Sequence, residues 1–282
     1  MPKMSDPSTA PPIRMMLMGN SGTGKTGGLA SLALAGYRLW IADFDNGYEI
    51  IRNILAKSDP AALDRVDFEV CRDPYKVMGS TTIPADTKAW AKGLKYLESV
   101  LKQPLTPEDV IVIDSLSFAA KAAVVYYMKI NGRPGAAPQW QEWGEIHRLV
   151  ESLIAMMVDD SIRAHLICTA HIAQTGGKRV EKVGKGPDAQ SIVIDEGPIR
   201  KLPATVGKAL NPVIPRYFNH MILVNRVGSG AAAKYSLHTR PHDDIELKNT
   251  SPGSIKPEYP LATGLADYFA DARGTSPKGT KP

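Results

Sequence analysis

Residues 19–26 read Gly19-Asn20-Ser21-Gly22-Thr23-Gly24-Lys25-Thr26. This full match to G-x-x-x-x-G-K-[ST] constrains the fold more than any other feature of the chain. The pattern turns a run of backbone N–H groups toward an anion; its lysine reaches outer phosphates and its hydroxyl residue helps to hold Mg²⁺. It works between a buried strand and the start of a helix, where unpaired amides and the helix dipole add positive potential. Both flanks fit: 13–18 is a mainly apolar run and 26–35 (Thr-Gly-Gly-Leu-Ala-Ser-Leu-Ala-Leu-Ala) has helical composition. The motif predicts an α/β chain that takes ATP or GTP with Mg²⁺. Gly19 to Thr26 form the cradle, with Lys25 at the outer phosphates and Thr26 at the metal.

With 282 residues and 43% apolar content, the chain can bury one large α/β core. Cys71 and Cys168 lie in apolar runs without metal-site spacing, which predicts buried, reduced thiols in a cytoplasmic protein. No apolar stretch reaches membrane-spanning length, and the first residues lack the layout of a signal peptide. The net charge of +5 permits a polyanionic partner without requiring one.

Residues 1–12, with four prolines, read as a disordered lead-in, and 273–282 as a disordered tail. Between them, 13–272 form one domain in which strands alternate with helices. Strands are expected at 38–43, 67–72, 110–114, 164–170 and 218–226. Helices are expected at 48–57, 86–102, 119–130 and 261–270, with a short one starting at 206–210. The segment 139–158 reads as an amphipathic helix with Trp140, Trp143, Ile146, Val150, Leu153 and Met157 on one face. The stretch 174–203, rich in Gly, Lys and Pro, reads as a long functional loop. Late runs at 232–240 and 244–249 suggest a hairpin, so the expected sheet is mainly parallel with an antiparallel C-terminal extension.

Asp114 ends an apolar strand, as a Mg²⁺-associated carboxylate does; the alternative is a cap for the helix that follows. Asp43 and Asp45 end the preceding strand, and one of them is placed to activate water; the alternative is loop capping. His171 ends the strand at 164–170, on the ligand-binding edge expected of such sheets, although a lone histidine more often serves as a structural hydrogen-bonding residue.

The segments 19–26, 41–45 (Ile-Ala-Asp-Phe-Asp), 111–115 (Ile-Val-Ile-Asp-Ser) and 169–171 occur in the order and spacing of a RecA-type ATPase core. In particular the chain resembles phage-encoded RecA-like P-loop ATPases, a group that includes single-strand annealing recombinases. The resemblance implies a RecA-like fold and ATP hydrolysis. It assigns Asp114 to the Walker B position and Asp45 to that of the catalytic glutamate, from which an aspartate departs. His171 takes the position of the γ-phosphate-sensing glutamine, and 174–203 becomes the second DNA-binding loop. Lys248 resembles a lysine that reaches the neighbouring subunit's nucleotide; an edge-strand lysine that blocks aggregation is the equal alternative. The implied assembly is a homo-oligomer with nucleotide at subunit interfaces.

Within 173–190, Lys178, Arg179, Lys182 and Lys185 face two acidic residues, Glu181 and Asp188. A basic, glycine-rich loop of this kind can order onto single-stranded DNA, and the alternative is an ordinary solvated loop. The leading expectation is a DNA-stimulated ATPase in phage-type recombination or annealing, recruited by a single-strand-binding protein. The rival is a KaiC-like assembly ATPase without a direct DNA role. A small-molecule kinase is disfavoured because no lid with clustered arginines is present.

Overall fold

The computed structural model describes residues 11–78, 81–84, 86–183, 190–241 and 244–275. Strand β1 (Arg14–Met18) leads through the glycine-rich turn into the short helices α1 (Lys25–Gly28) and α2 (Ala30–Leu34). Next come β2 (Arg38–Asp43), α3 (Tyr48–Ser58), β3 (Val66–Val70) and a two-stranded ribbon, β4 (Tyr75–Met78) with β5 (Thr81–Pro84). The centre of the chain forms α4 (Ala89–Leu101), β6 (Asp109–Asp114), α5 (Leu116–Ile130), α6 (Glu142–Met157) and β7 (His165–Ala170). Four strands follow as an arm: β8 (Ile172–Thr175), β9 (Lys178–Val183), β10 (Gln190–Asp195) and β11 (Arg200–Pro203). The chain closes with β12 (His220–Val227), β13 (Lys234–His238), β14 (Glu258–Pro260) and α7 (Leu261–Arg273).

Eight strands form one sheet in the order β14-β13-β12-β1-β7-β6-β2-β3. From β12 to β3 the pairs are parallel; β12, β13 and β14 pair antiparallel. The α/β fold, with its mainly parallel sheet, flanking helices and antiparallel C-terminal strands, is as the sequence predicts. β1, β6 and β7 are buried along their whole length because helices cover both faces, which is why they read as apolar runs rather than alternating ones. Successive residues nevertheless serve different cores. Met16, Met18, Ile111 and Ile113 pack with Leu97, Ala123, Val150 and Leu153 of α4, α5 and α6. Met15, Leu17, Val110 and Val112 pack with Leu32, Ile51, Leu55 and Phe269 of α2, α3 and α7. Each large apolar side chain buried this way contributes roughly 1.5–3 kcal/mol.

Parallel pairing places the carboxyl ends of β1, β2, β6 and β7 along one edge of the sheet. Residues 19–26, Asp43, Asp114 and His171 leave from those ends.

Several expected elements differ. The long loop over 174–203 is a two-tier antiparallel arm: β8 pairs with β11, and β9 with β10. The tiers join through a tight turn in which the Gly177 N–H donates to the Gly197 carbonyl (2.8 Å) and the Glu196 N–H to the Gly177 carbonyl (2.8 Å). Gly176 there has φ 77°, and a Cβ would come within 2.1 Å of the Pro198 carbonyl oxygen. Of the four arm cations, Lys178, Arg179 and Lys182 lie on β9, while Lys185 lies outside the described residues.

Residues 206–210 form a turn, not a helix, because the Asn211 side chain accepts both the N–H and the hydroxyl of Thr205. The expected strand over 244–249 reduces to two single bridges, Ile245 with Lys201 and Lys248 with Met221; β13 pairs with β14 instead. Trp140 is 91% exposed and outside the α6 face. The Glu142 carboxylate accepts the Gln139 N–H and the Arg133 guanidinium, so the helix begins after the tryptophan. The lead-in and tail expectations fall largely outside the described residues. Among the described residues no helix is long and apolar enough to cross a membrane.

Candidate active site

The loop after β1 is shaped by its backbone. Gly24 has φ 94°, a left-handed backbone that strains any other residue, and a Cβ there would also push the Leu261 side chain at the start of α7, 2.4 Å away. Lys25 follows as the first residue of α1, buried, its ammonium donating to the carbonyls of Gly19 (2.7 Å) and Asn20 (2.9 Å). Burial lowers its pKa from the ordinary lysine value, while the nearby carboxylates of Asp114 and Asp45 oppose that shift.

Thr26 and Asp114 meet directly. The threonine hydroxyl donates to Asp114 Oδ2 at 2.7 Å, and the Thr169 hydroxyl donates to Oδ1. Asp114 is 1% exposed. Burial raises its pKa to about 6 despite the two hydroxyl donors, and the charges of Asp43 and Asp45 push the same way. A desolvated carboxylate beside a hydroxyl, at the mouth of a phosphate loop, offers hard oxygen donors that suit Mg²⁺ completed by phosphate oxygens and water. Among the described residues no cluster of three or more His, Cys, Asp or Glu side chains could hold an ion alone, and Mg²⁺ in such sites does not require one. The helix-capping alternative for Asp114 is not met: Ser115 occupies the N-cap of α5, and the Asp114 side chain points to Thr26 and Thr169.

Asp43 and Asp45 take different parts. Asp43 is fully buried, and its carboxylate accepts the N–H groups of Asp45 (3.0 Å), Gly47 (3.1 Å) and Tyr48 (3.3 Å). It therefore satisfies amides at the start of α3, which is the loop-capping alternative realised. Asp45 stays half-exposed, with Oδ2 3.5 Å from His171 Nε2. Burial and the charge of Lys25 lower the His171 pKa, and Asp45 opposes this.

The His171 backbone is tied to the arm. Its N–H donates to Ser117 Oγ (3.0 Å), Ser117 Oγ donates to the Ala204 carbonyl (2.6 Å), and the Ala204 N–H donates to the His171 carbonyl (2.7 Å). Thr169 falls in the segment 169–171 without a role of its own there, and Ser117 carries no expectation from the sequence. The signal available for Thr169 is a lone hydroxyl near the end of a buried apolar strand.

Lys25, Thr26, Asp45, Asn46 and His171 line one cavity of about 430 Å³, which continues past Ile50 and Asn53 of α3. Lys248 is not part of it. Its backbone pairs with Met221, which is level with Met16, before the loop leaves β1, and its ammonium donates to the Pro215 carbonyl at 2.7 Å. It cannot serve the phosphate loop of its own chain.

Among solved structures, a KaiC-like protein of Pyrococcus horikoshii is similar at 13% identity over 88% of this chain and 84% of that one, with a TM-score of 0.42. The flagellar accessory protein FlaH of Methanocaldococcus jannaschii is similar at 14% identity over 90% and 89%, with a TM-score of 0.39. An ATPase of the type III secretion system of pathogenic bacteria is similar at 14% identity over 76% of this chain and 52% of that one, with a TM-score of 0.42. No curated protein matches the sequence. Residues 11–250 match the AAA domain family, a span that holds every residue of the rim from Gly19 to His171, and by that match the protein belongs to the AAA domain family of P-loop nucleotide-binding proteins.

Proposed function

We propose that the chain hydrolyses ATP as a subunit of a homo-oligomer and couples turnover to single-stranded DNA in phage-type recombination or annealing. The observation that carries the catalytic part is the Thr26–Asp114 hydrogen bond of 2.7 Å, in the same cavity edge as Lys25, Asp45 and His171. Backbone amides of Gly19 to Thr26 would hold the phosphates, and the Lys25 ammonium would leave the Gly19 and Asn20 carbonyls for phosphate oxygens. Thr26 and Asp114 would hold Mg²⁺, which when bound neutralises charge developing on the outer phosphates. Asp45 would accept a proton from the attacking water at its free carboxylate oxygen, a role closed to Asp43 by its three amide donors. His171, whose pKa burial and the Lys25 charge lower, would orient Asp45 or a phosphate oxygen through an N–H at Nε2.

The DNA part rests on charge and connection. Lys178, Arg179, Lys182 and Lys185 fall within one short stretch of sequence, the first three on β9, and the arm's stem is hydrogen-bonded to the His171 backbone through Ser117 and Ala204. A change at the phosphate could thus bias the arm without a long relay. The test is ATP turnover with and without single-stranded DNA, repeated with the four cations replaced by alanine. Stimulation by DNA in the wild type, and a salt dependence of binding shallower by up to about 0.7 per DNA phosphate no longer neutralised in the variant, is the expected result. Turnover indifferent to DNA would leave an assembly ATPase and remove DNA from the account.

A further inference from the structure

A second cavity, of about 500 Å³, adjoins the first and shares Asp45 and Asn46 with it. Its walls are unlike those of the phosphate loop. Two exposed cations, Arg72 and Lys121, stand on it beside the aromatic rings of Tyr75 and Phe118. The Arg72 guanidinium donates to the Asn46 side-chain oxygen, and the Lys121 ammonium sits 4.5 Å from the centre of the Phe118 ring. Phe118 in turn meets the His171 ring edge-on, with centroids 5.9 Å apart. Two acids also line the cavity: Asp73 accepts the first N–H of α4 at 2.7 Å, and one Asp45 oxygen faces His171 at 3.5 Å.

The β4–β5 ribbon reaches this cavity through Tyr75 and, among the described residues, pairs with no strand of the main sheet. Tyr75 is 64% exposed there and Val77, two positions on, 74%. Alternation along a strand puts those two side chains on the same side of the ribbon. An exposed ring beside cations is the arrangement that stacks a base and holds its phosphate. The arm of β8 to β11 has no such ring: 172–203 contains no aromatic residue.

We propose that this second cavity is a subsite for a nucleoside monophosphate unit, with its base stacked on Tyr75 and its phosphate held by Arg72 and Lys121. The unit can be free or one link of a single strand, and the strand form rests on the DNA reading above. In that form the strand passes within reach of Asp45, so its occupancy and the state of the Asp45–His171 pair influence each other through Asn46 and Phe118.

The test is fluorescence anisotropy with a short labelled oligothymidylate and, separately, calorimetric titration with thymidine 5′-monophosphate. Both are run with a non-hydrolysable ATP analogue present, on the full chain, on Tyr75→Ala and on Arg72→Ala/Lys121→Ala. Retained binding of the ATP analogue by the variants shows that they are folded. The expected result is oligothymidylate affinity weaker by about fivefold to a hundredfold in Tyr75→Ala. The double variant should show a salt slope smaller by about 0.7 for each DNA phosphate that it no longer neutralises. Monophosphate binding by the wild type that the variants lose, without oligothymidylate binding, would support the subsite with a free nucleotide as its ligand and overturn the DNA reading. Oligothymidylate bound equally by wild type and variants would overturn the subsite and leave the DNA reading standing. A wild type that binds neither ligand would overturn both.

Discussion

Thr26 and Asp114, 88 positions apart in the chain, are joined hydroxyl to carboxylate at 2.7 Å. One ends the phosphate loop and the other ends β6, with β7 lying between their strands. The link crosses that intervening strand at its carboxyl end, where Thr169 of β7 donates to the other carboxylate oxygen. Two hydroxyls thus hold a buried anion in one orientation, and Lys25 and Asp45 stand around it.

Replacing Lys25 by alanine removes the buried cation that now rests on the Gly19 and Asn20 carbonyls. ATP turnover should fall by roughly 10²-fold or more, the scale of losing one preorganised charge donor to the transition state. Steady-state turnover at the wild-type rate would exclude this loop as the site.

Asp45→Asn should keep nucleotide affinity while slowing hydrolysis by roughly 10²-fold. Asp43→Asn should act on stability, lowering it by about 1–3 kcal/mol, because three backbone amides lose an anionic acceptor. Denaturant melts and single-turnover kinetics on the two variants separate the effects. The opposite pattern would mean that the water-activating carboxylate is Asp43.

Lys248 lies outside the cavity of its own phosphate loop, its ammonium on the Pro215 carbonyl, so any catalytic part it plays must be in a neighbouring copy. Lys248→Ala should lower turnover without weakening nucleotide binding, and mixing it with Lys25→Ala subunits should restore part of the activity. A monomer with full activity would leave Lys248 only its bond to the Pro215 carbonyl.

Two buried histidines should make stability fall in acid. Burial, aided by the Arg273 charge, lowers the His165 pKa from 6.5 to about 3. Burial, aided by Lys248, lowers that of His220 from 6.5 to about 4. Each binds fewer protons folded than unfolded, so stability is complete above about pH 6.5 and is lost as pH falls toward the folded values. For His165 alone the loss by about pH 4.5 is roughly 2–3 kcal/mol. His165 Nδ1 accepts the Ile13 N–H at 2.8 Å; His165→Asn can keep an acceptor there without a titrating ring, so its urea midpoint should depend less on pH between 7 and about 4.5. An unchanged slope would place the acid sensitivity elsewhere.

The phosphate loop and Asp114 were legible because their signals are local: a fixed spacing, and a carboxylate ending an apolar run. The residues alone leave Asp43 and Asp45 open and only the resemblance chooses Asp45; the amides that Asp43 accepts depend on where the loop after β2 turns. The arm escaped recognition because its strands carry charged residues and one short apolar run, 192–194, rather than a clean alternation, and Gly and Pro interrupt them; its ladder is made by backbone pairs. The β4–β5 ribbon carries no expectation from the sequence, because its strands are only four residues long each. Trp140 shows the limit of helical periodicity: a residue in phase with a buried face stays outside when a side chain such as Glu142 starts the helix later. Lys248 shows that a strand-like run needs a free sheet edge, and β14 had taken the one beside β13.

The central position of β1 has a consequence for synthesis. Its residues pair with 166–170 on one side and 220–223 on the other, so the strand that carries the phosphate loop lacks both flanks until most of the chain has been made. Long-range parallel pairing of this kind closes late and slowly. During translation the loop therefore leaves the ribosome well before β12, and it waits for that strand before nucleotide can be gripped. Nucleotide capture by a nascent chain would accordingly mark the arrival of β12 beside β1.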